Sequence, residues 1–142
     1  MSEDVITLIR RSGKGDIEAH RKLADMAIAA GFDAVGKGDD AYLNYYEASI
    51  YSRLAATSGK LADLARLMSV LAICANLAER NGETDDAETY HAEGIGLAEI
   101  IADSNEGEAS ECAAQMIANG AGECSPAVLE MAKEFKTLWS AE

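Results

Sequence analysis

A chain of 142 residues is long enough to bury a core of its own and short enough to form one domain. Apolar residues at 49% and charged residues at 26% exclude a disordered chain. The formal net charge of −13, from 25 acids against 12 Lys and Arg, argues against direct nucleic-acid binding, because too few cations are present to neutralise phosphates.

The opening MSEDVITLIRRSG carries acids where a secretory signal needs a basic flank. No run approaches the roughly 20 apolar residues that span a bilayer, so the expectation is a cytoplasmic protein with no membrane partner. Proline occurs once, at position 126, and helical spacing replaces any sustained alternation, which predicts an all-α fold. Ser2 is placed to cap a first helix through about Arg11, ended by Ser12-Gly13. Asp16 opens a second, in which Ile17, Leu23, Met26, Ala27 and Ala30 recur at three- and four-residue steps, and Gly31, Gly36 and Gly38 break the chain after it. Asp39 or Asp40 caps a third running to about Ser58.

After Gly59 comes LADLARLMSVLAICANLAER, with one apolar stripe through Leu61, Leu64, Met68, Leu71 and Ala75 and another through Leu67, Val70, Cys74 and Leu77. A helix apolar on two sides must be sandwiched between neighbours. Asn81-Gly82 ends it, and Thr84 caps a fifth helix with Asp85 and Asp86 in its first turn, where acids suit the dipole. A sixth helix is predicted over 108–118, and Ser125-Pro126 starts a seventh that holds Phe135, Leu138 and Trp139.

Two of these helices repeat. Asp39-Asp40-Ala41 and Glu47 recur 46 positions on as Asp85-Asp86-Ala87 and Glu93, and "GDIEAHRKLADM" at 15–26 aligns with "NEGEASECAAQM" at 105–116. Periods of this length mark helix pairs that bury their faces by stacking. Gly15-Asp16-Ile17-Glu18-Ala19, Leu23-Ala24 and Ala55-Ala56-Thr57-Ser58-Gly59 resemble the tetratricopeptide-like superfamily of α-solenoids, most of all its Sel-one-like branch. The tetratricopeptide W-x-x-L-G-x-x-Y signature is absent. The resemblance implies a short right-handed α-α superhelix of about seven helices, with repeats at about 15–58, 59–104 and 105–124 and capping helices at 2–12 and 126–141. It also implies that the first helix of each pair lines a concave face, which makes Asn44, Tyr45, Glu47 and Ser52 candidate groove residues.

Charge is uneven. Residues 81–132 hold twelve acids and no Lys or Arg, whereas Arg10, Arg11, Lys14, Arg21 and Lys22 crowd the start. The acids, Glu88, Glu106, Glu108 and Glu111 among them, are read either as a solvated face or as a docking face for a protein or peptide with a basic surface. The asymmetry also permits head-to-tail self-association. Tyr42, Tyr45, Tyr46 and Tyr51 on one helix either pack between repeats or form a partner-facing patch.

Catalytic signals are poor. Cys74, Cys112 and Cys124 show no metal-site spacing; the first two read as small buried residues, and Cys124 sits at a helix start that favours a thiolate beside a Glu123 that opposes it. His91 and Glu88 share a helix face without a third ligand, and "GKGD", "GIG" and "NGAGEC" are too short or too acidic to cradle a phosphate. The expectation is a non-catalytic binding module needing no cofactor or metal; the alternative is an inhibitor that imitates nucleic acid and occupies a basic groove.

Overall fold

The computed structural model describes residues 4–104 and 126–140. Within them the chain forms α1 (Val5–Gly13), α2 (Ile17–Gly36), α3 (Tyr42–Ala56), α4 (Leu61–Arg80), α5 (Thr84–Asp103) and α6 (Pro126–Ser140), with no strand among the described residues. The helix predicted over 108–118 lies outside them. Each helix packs on the next, α5 and α6 included, giving a short α-α superhelix.

The turns explain the sharp reversals. At the ends of α1, α2 and α4 a glycine with positive φ (Gly15 at 87°, Gly38 at 75°, Gly82 at 78°) follows the helix. In each, the next N–H donates back to a carbonyl five residues earlier: Asp16 to Arg11, Asp39 to Ala34 and Glu83 to Ala78. This is the Schellman closure, and it satisfies carbonyls that the helix end leaves open.

At the helix starts, the Asp16 carboxylate accepts from the Ala19 N–H, as the sequence predicts. Asp4 instead of Ser2 caps α1, accepting from the Ile6 N–H. Ala41 takes the cap position of α3, while Asp40 bonds the Tyr42 N–H from one residue further back. Glu83, not Thr84, occupies the cap position of α5 and makes no side-chain bond there.

The core centres on α4, where Leu67, Met68, Val70, Leu71, Cys74, Ala75 and Ala78 are all buried between α3 and α5. By length and composition α4 is apolar enough to cross a membrane, contrary to the expectation from the sequence, but half of that stretch is covered inside the molecule. Much of the remaining core is alanine, including Ala19, Ala24, Ala48, Ala55, Ala92 and Ala98. Small residues let helix axes approach closely, and two glycines mark the tightest points.

Gly31 does not break α2, as its residue type suggests; α2 runs through it to Gly36. A methyl group there would sit 2.7 Å from the Tyr45 ring, so the glycine makes room for that side chain. In α5 the "GIG" segment is a helix-packing surface. A methyl on Gly96 would lie 2.8 Å from both the Ala132 carbonyl oxygen and the Lys136 nitrogen of α6, whereas one on Gly94 meets nothing nearer than Leu71 Cβ at 3.8 Å. Backbone cannot swing aside as a side chain can.

The contrast is testable by thermal unfolding. Gly96→Ala is expected to destabilise by about 1–3 kcal/mol through overpacking. Gly94→Ala should be neutral, or stabilising by up to about 1 kcal/mol through helix propensity.

Candidate functional site

Among the described residues two carboxylates are buried, and each is held by an arginine from the helix two places away. Asp63 on α4 accepts from Arg21 Nε and Nη2 on α2, at 3.0 and 2.7 Å, and from Arg66 Nη1 at 2.9 Å. The Ser58 hydroxyl donates to it at 2.6 Å. Arg66 also reaches back to Asp25 on α2, at 3.1 Å. Glu93 on α5 accepts from Arg53 Nε and Nη2 on α3, at 3.1 and 2.7 Å, and from the Trp139 indole N–H on α6 at 2.9 Å.

Such saturated carboxylates are structural. Every oxygen is already an acceptor from a fixed donor, so neither has capacity left for a substrate proton or a metal ion. Burial alone would push the Asp63 pKa up, but the bonds from Arg21, Ser58 and Arg66 outweigh it and hold the carboxyl well below its usual range. Neither cluster was anticipated from the sequence. The available signal was the spacing of Arg21 to Asp63 and Arg53 to Glu93, 42 and 40 positions, close to the repeat length.

The four tyrosines of α3 separate by direction. Tyr45 is buried against Gly31. Tyr42 turns to α5, its hydroxyl 3.5 Å from that of Tyr90, and burial followed by that hydroxyl pushes its pKa up. Tyr51 packs with Leu8, Ala19 and Leu23 under α1. Tyr46 is exposed.

The candidate groove residues therefore do not share a surface. Tyr45 and Ser52 are buried, a correction to their placement in a groove, because they lie on the α3 face that meets α2 and α4. Ser52 Oγ has no hydrogen-bond partner among the described residues. Asn44 is half-buried and Glu47 is exposed. On the opposite face of α3, Leu43, Tyr46, Ile50 and Leu54 are exposed together.

The acidic stretch is partly answered within the chain. Glu93 is buried under Arg53 and Trp139, and Lys136 of α6 bridges Glu99 and Asp103 at 3.6 and 3.2 Å. Glu83, Asp85 and Asp86 remain exposed around a shallow depression at the start of α5, and Glu88 is half-buried. Glu106, Glu108 and Glu111, with Cys112 and Cys124, lie outside the described residues. Among the early cations, Arg11 pairs with Asp16 and Arg21 with Asp63; Arg10, Lys14 and Lys22 are exposed.

The remaining chemistry-bearing side chains are scattered. Cys74 is buried and donates to the Tyr45 carbonyl at 3.3 Å; burial pushes its thiol up to about 12. His20 is buried with its Nδ1 2.7 Å from Ser12 Oγ, while His91 is exposed on α5.

The Asp63 cluster predicts an acid limb. Its depressed carboxyl contributes stability that is fully present above the ordinary carboxylate value near ~4 and is lost as pH falls through the lowered folded value. Asp63→Asn should cost about 3 kcal/mol at neutral pH, the scale for breaking a buried pair. The difference from the unsubstituted protein should shrink on acidification, as measured by urea unfolding across pH.

No protein-family model, curated protein or solved structure matches this chain.

Proposed function

We propose that this chain is a non-catalytic protein-binding module whose docking surface is the outward face of α3. One observation carries the reading: Leu43, Tyr46, Ile50 and Leu54 are 79, 48, 40 and 39% exposed in a folded helix. Scattered exposed apolar residues are ordinary on protein surfaces, but an aligned set is the mark of an interaction site. Steps of three, four and four residues keep all four on one side of the helix.

The spacing defines the partner's form. An apolar ridge on a helix is complemented by the apolar side of another amphipathic helix laid along it. Tyr46 supplies contact area with a hydroxyl at its edge. The exposed acids Asp39, Asp40 and Glu47 border this ridge, and Glu83, Asp85 and Asp86 lie at the start of α5. They favour a partner with cations flanking its apolar side, and act more on association rate and partner choice than on affinity. The stacked pairs suit the proposed kinship with Sel-one-like repeats, which rests on the segments quoted above. The nucleic-acid-mimic reading depends on Glu106, Glu108 and Glu111, and no feature of the described surface favours it.

A photo-crosslinking residue at position 50 should join the protein to one discrete partner species, and the same residue at position 79 should not. Leu43→Asp should abolish that product while leaving helicity by circular dichroism unchanged. Crosslinking that survives this substitution would remove α3 as the docking face.

A further inference from the structure

Taking the α3 face as the docking surface, we infer that the helix docked there carries a carboxylate bound by Arg53, which makes Arg53 a specificity-determining residue for the partner. Among the arginines that grip a buried carboxylate, Arg53 differs from the other two. Arg21 spends Nε and Nη2 on Asp63 and reaches Glu18 with Nη1 at 3.1 Å. Arg66 holds Asp63 with Nη1 and Asp25 with Nε. Each of them serves two carboxylates. Arg53 serves one: Nε and Nη2 go to Glu93, Nη1 meets no acceptor among the described residues, and the side chain is 37% exposed.

Position on the helix explains the difference. The second carboxylate of Arg21 comes from the residue three before it. Three before Arg53 stands Ile50, in the middle of the exposed ridge. The donor edge that Arg21 satisfies within its own helix therefore lies, for Arg53, beside the ridge and within reach of whatever covers it. A guanidinium presents five N–H donors in a fixed fork, so one committed along one edge still binds a second carboxylate along another.

The two flanks of the ridge differ in sign. At about 3.6 residues per turn, Glu47 and Arg53 lie roughly 60° to either side of the line through Leu43, Tyr46, Ile50 and Leu54. Contacts identify the flanks: Arg53 and Tyr42 turn to α5, whereas Tyr51, four residues after Glu47, packs with Leu8 of α1. The exposed Glu47 thus faces a partner cation on the α1 side, and Arg53 a partner carboxylate on the α5 side. The occupant is an amphipathic helix with opposite charge on its two flanks, which also sets its direction along α3. A helix basic on both flanks would answer Glu47 but bring a cation against Arg53.

Two synthetic helical probes of about 15 residues, the length of α3, test this by fluorescence anisotropy on the full chain. Both carry a leucine stripe with lysines along one flank; the other flank is glutamate in the first probe and glutamine in the second. The net charge of −13 by itself favours the second, which is the more positive. Binding of a carboxylate by Arg53 reverses that order, and the glutamate probe should bind about three- to fivefold more tightly, the scale of a part-exposed ion pair. Arg53→Met combined with Glu93→Gln removes the buried pair as a unit and keeps an acceptor for the Trp139 indole; the preference should vanish in this variant, its folding checked by urea unfolding. Ile50→Glu supplies the second carboxylate from within α3, as Glu18 does for Arg21, and should level the two probes without touching Glu93.

Equal binding of the probes, or tighter binding of the glutamine one, would overturn the role of Arg53 and leave α3 standing as the docking face. A glutamate preference that survives the paired substitution would do the same. Failure of both probes to bind, or binding indifferent to Leu43→Asp, would remove both readings.

Discussion

A carboxylate inside the protein, gripped by an arginine from the helix two places away, is the contact on which the arrangement depends. Neighbouring helices are held by apolar packing, which fixes distance but tolerates sliding and rotation. Asp63 with Arg21 and Glu93 with Arg53 add what packing lacks, a directional bond between alternate helices. Each arginine presents Nε and Nη2 as a planar fork, a geometry that lysine does not have. Removing these ions from water is costly, so such a pair survives only where further donors saturate the carboxylate. Ser58 and Arg66 do this for Asp63, and the Trp139 indole does it for Glu93.

α3 is built inside out relative to an ordinary amphipathic helix. Its buried side is Tyr45, Ala48, Ser49, Ser52, Ala55 and Ala56, while its large aliphatic side chains look outward. Small residues inward permit the close approach of α2 and α4, and Gly31 gives way to the Tyr45 ring where they are tightest. The apolar surface left outside exceeds what the packing of α3 on α2 and α4 uses, and that surplus is what makes the helix read as a binding surface.

This inversion also accounts for what could be read from the residues. The all-helical architecture, the sandwiched α4 and the turns at Gly38 and Gly82 follow from periodicity and turn chemistry, which act locally. Gly31 reads locally as a break, and the role of Gly96 has no local signal, because both are set by what lies across an interface, on Tyr45 and α6, and not by the segment that contains them. The groove position of Tyr45 and Ser52 is implied by the resemblance to α-solenoids alone, and a rule that large apolar residues point inward fails for α3, where these two are buried. Glu93 looked like one acid among many in a cation-free stretch. Its partners, the Arg53 guanidinium and the Trp139 indole N–H, stand 40 and 46 positions away along the chain, out of reach of any local window.

A chain whose described helices pack chiefly on their neighbours in sequence has a consequence for its birth. From α1 to α5 the main interfaces link helices adjacent in the polypeptide, so little loop entropy stands between the unfolded chain and those contacts, and such topologies fold fast. On the ribosome, α2 and α3 can pair as soon as both have emerged, with α4 and then α5 settling on what is already there. The arginines are made before the carboxylates they hold, so the later strut locks each layer as it arrives.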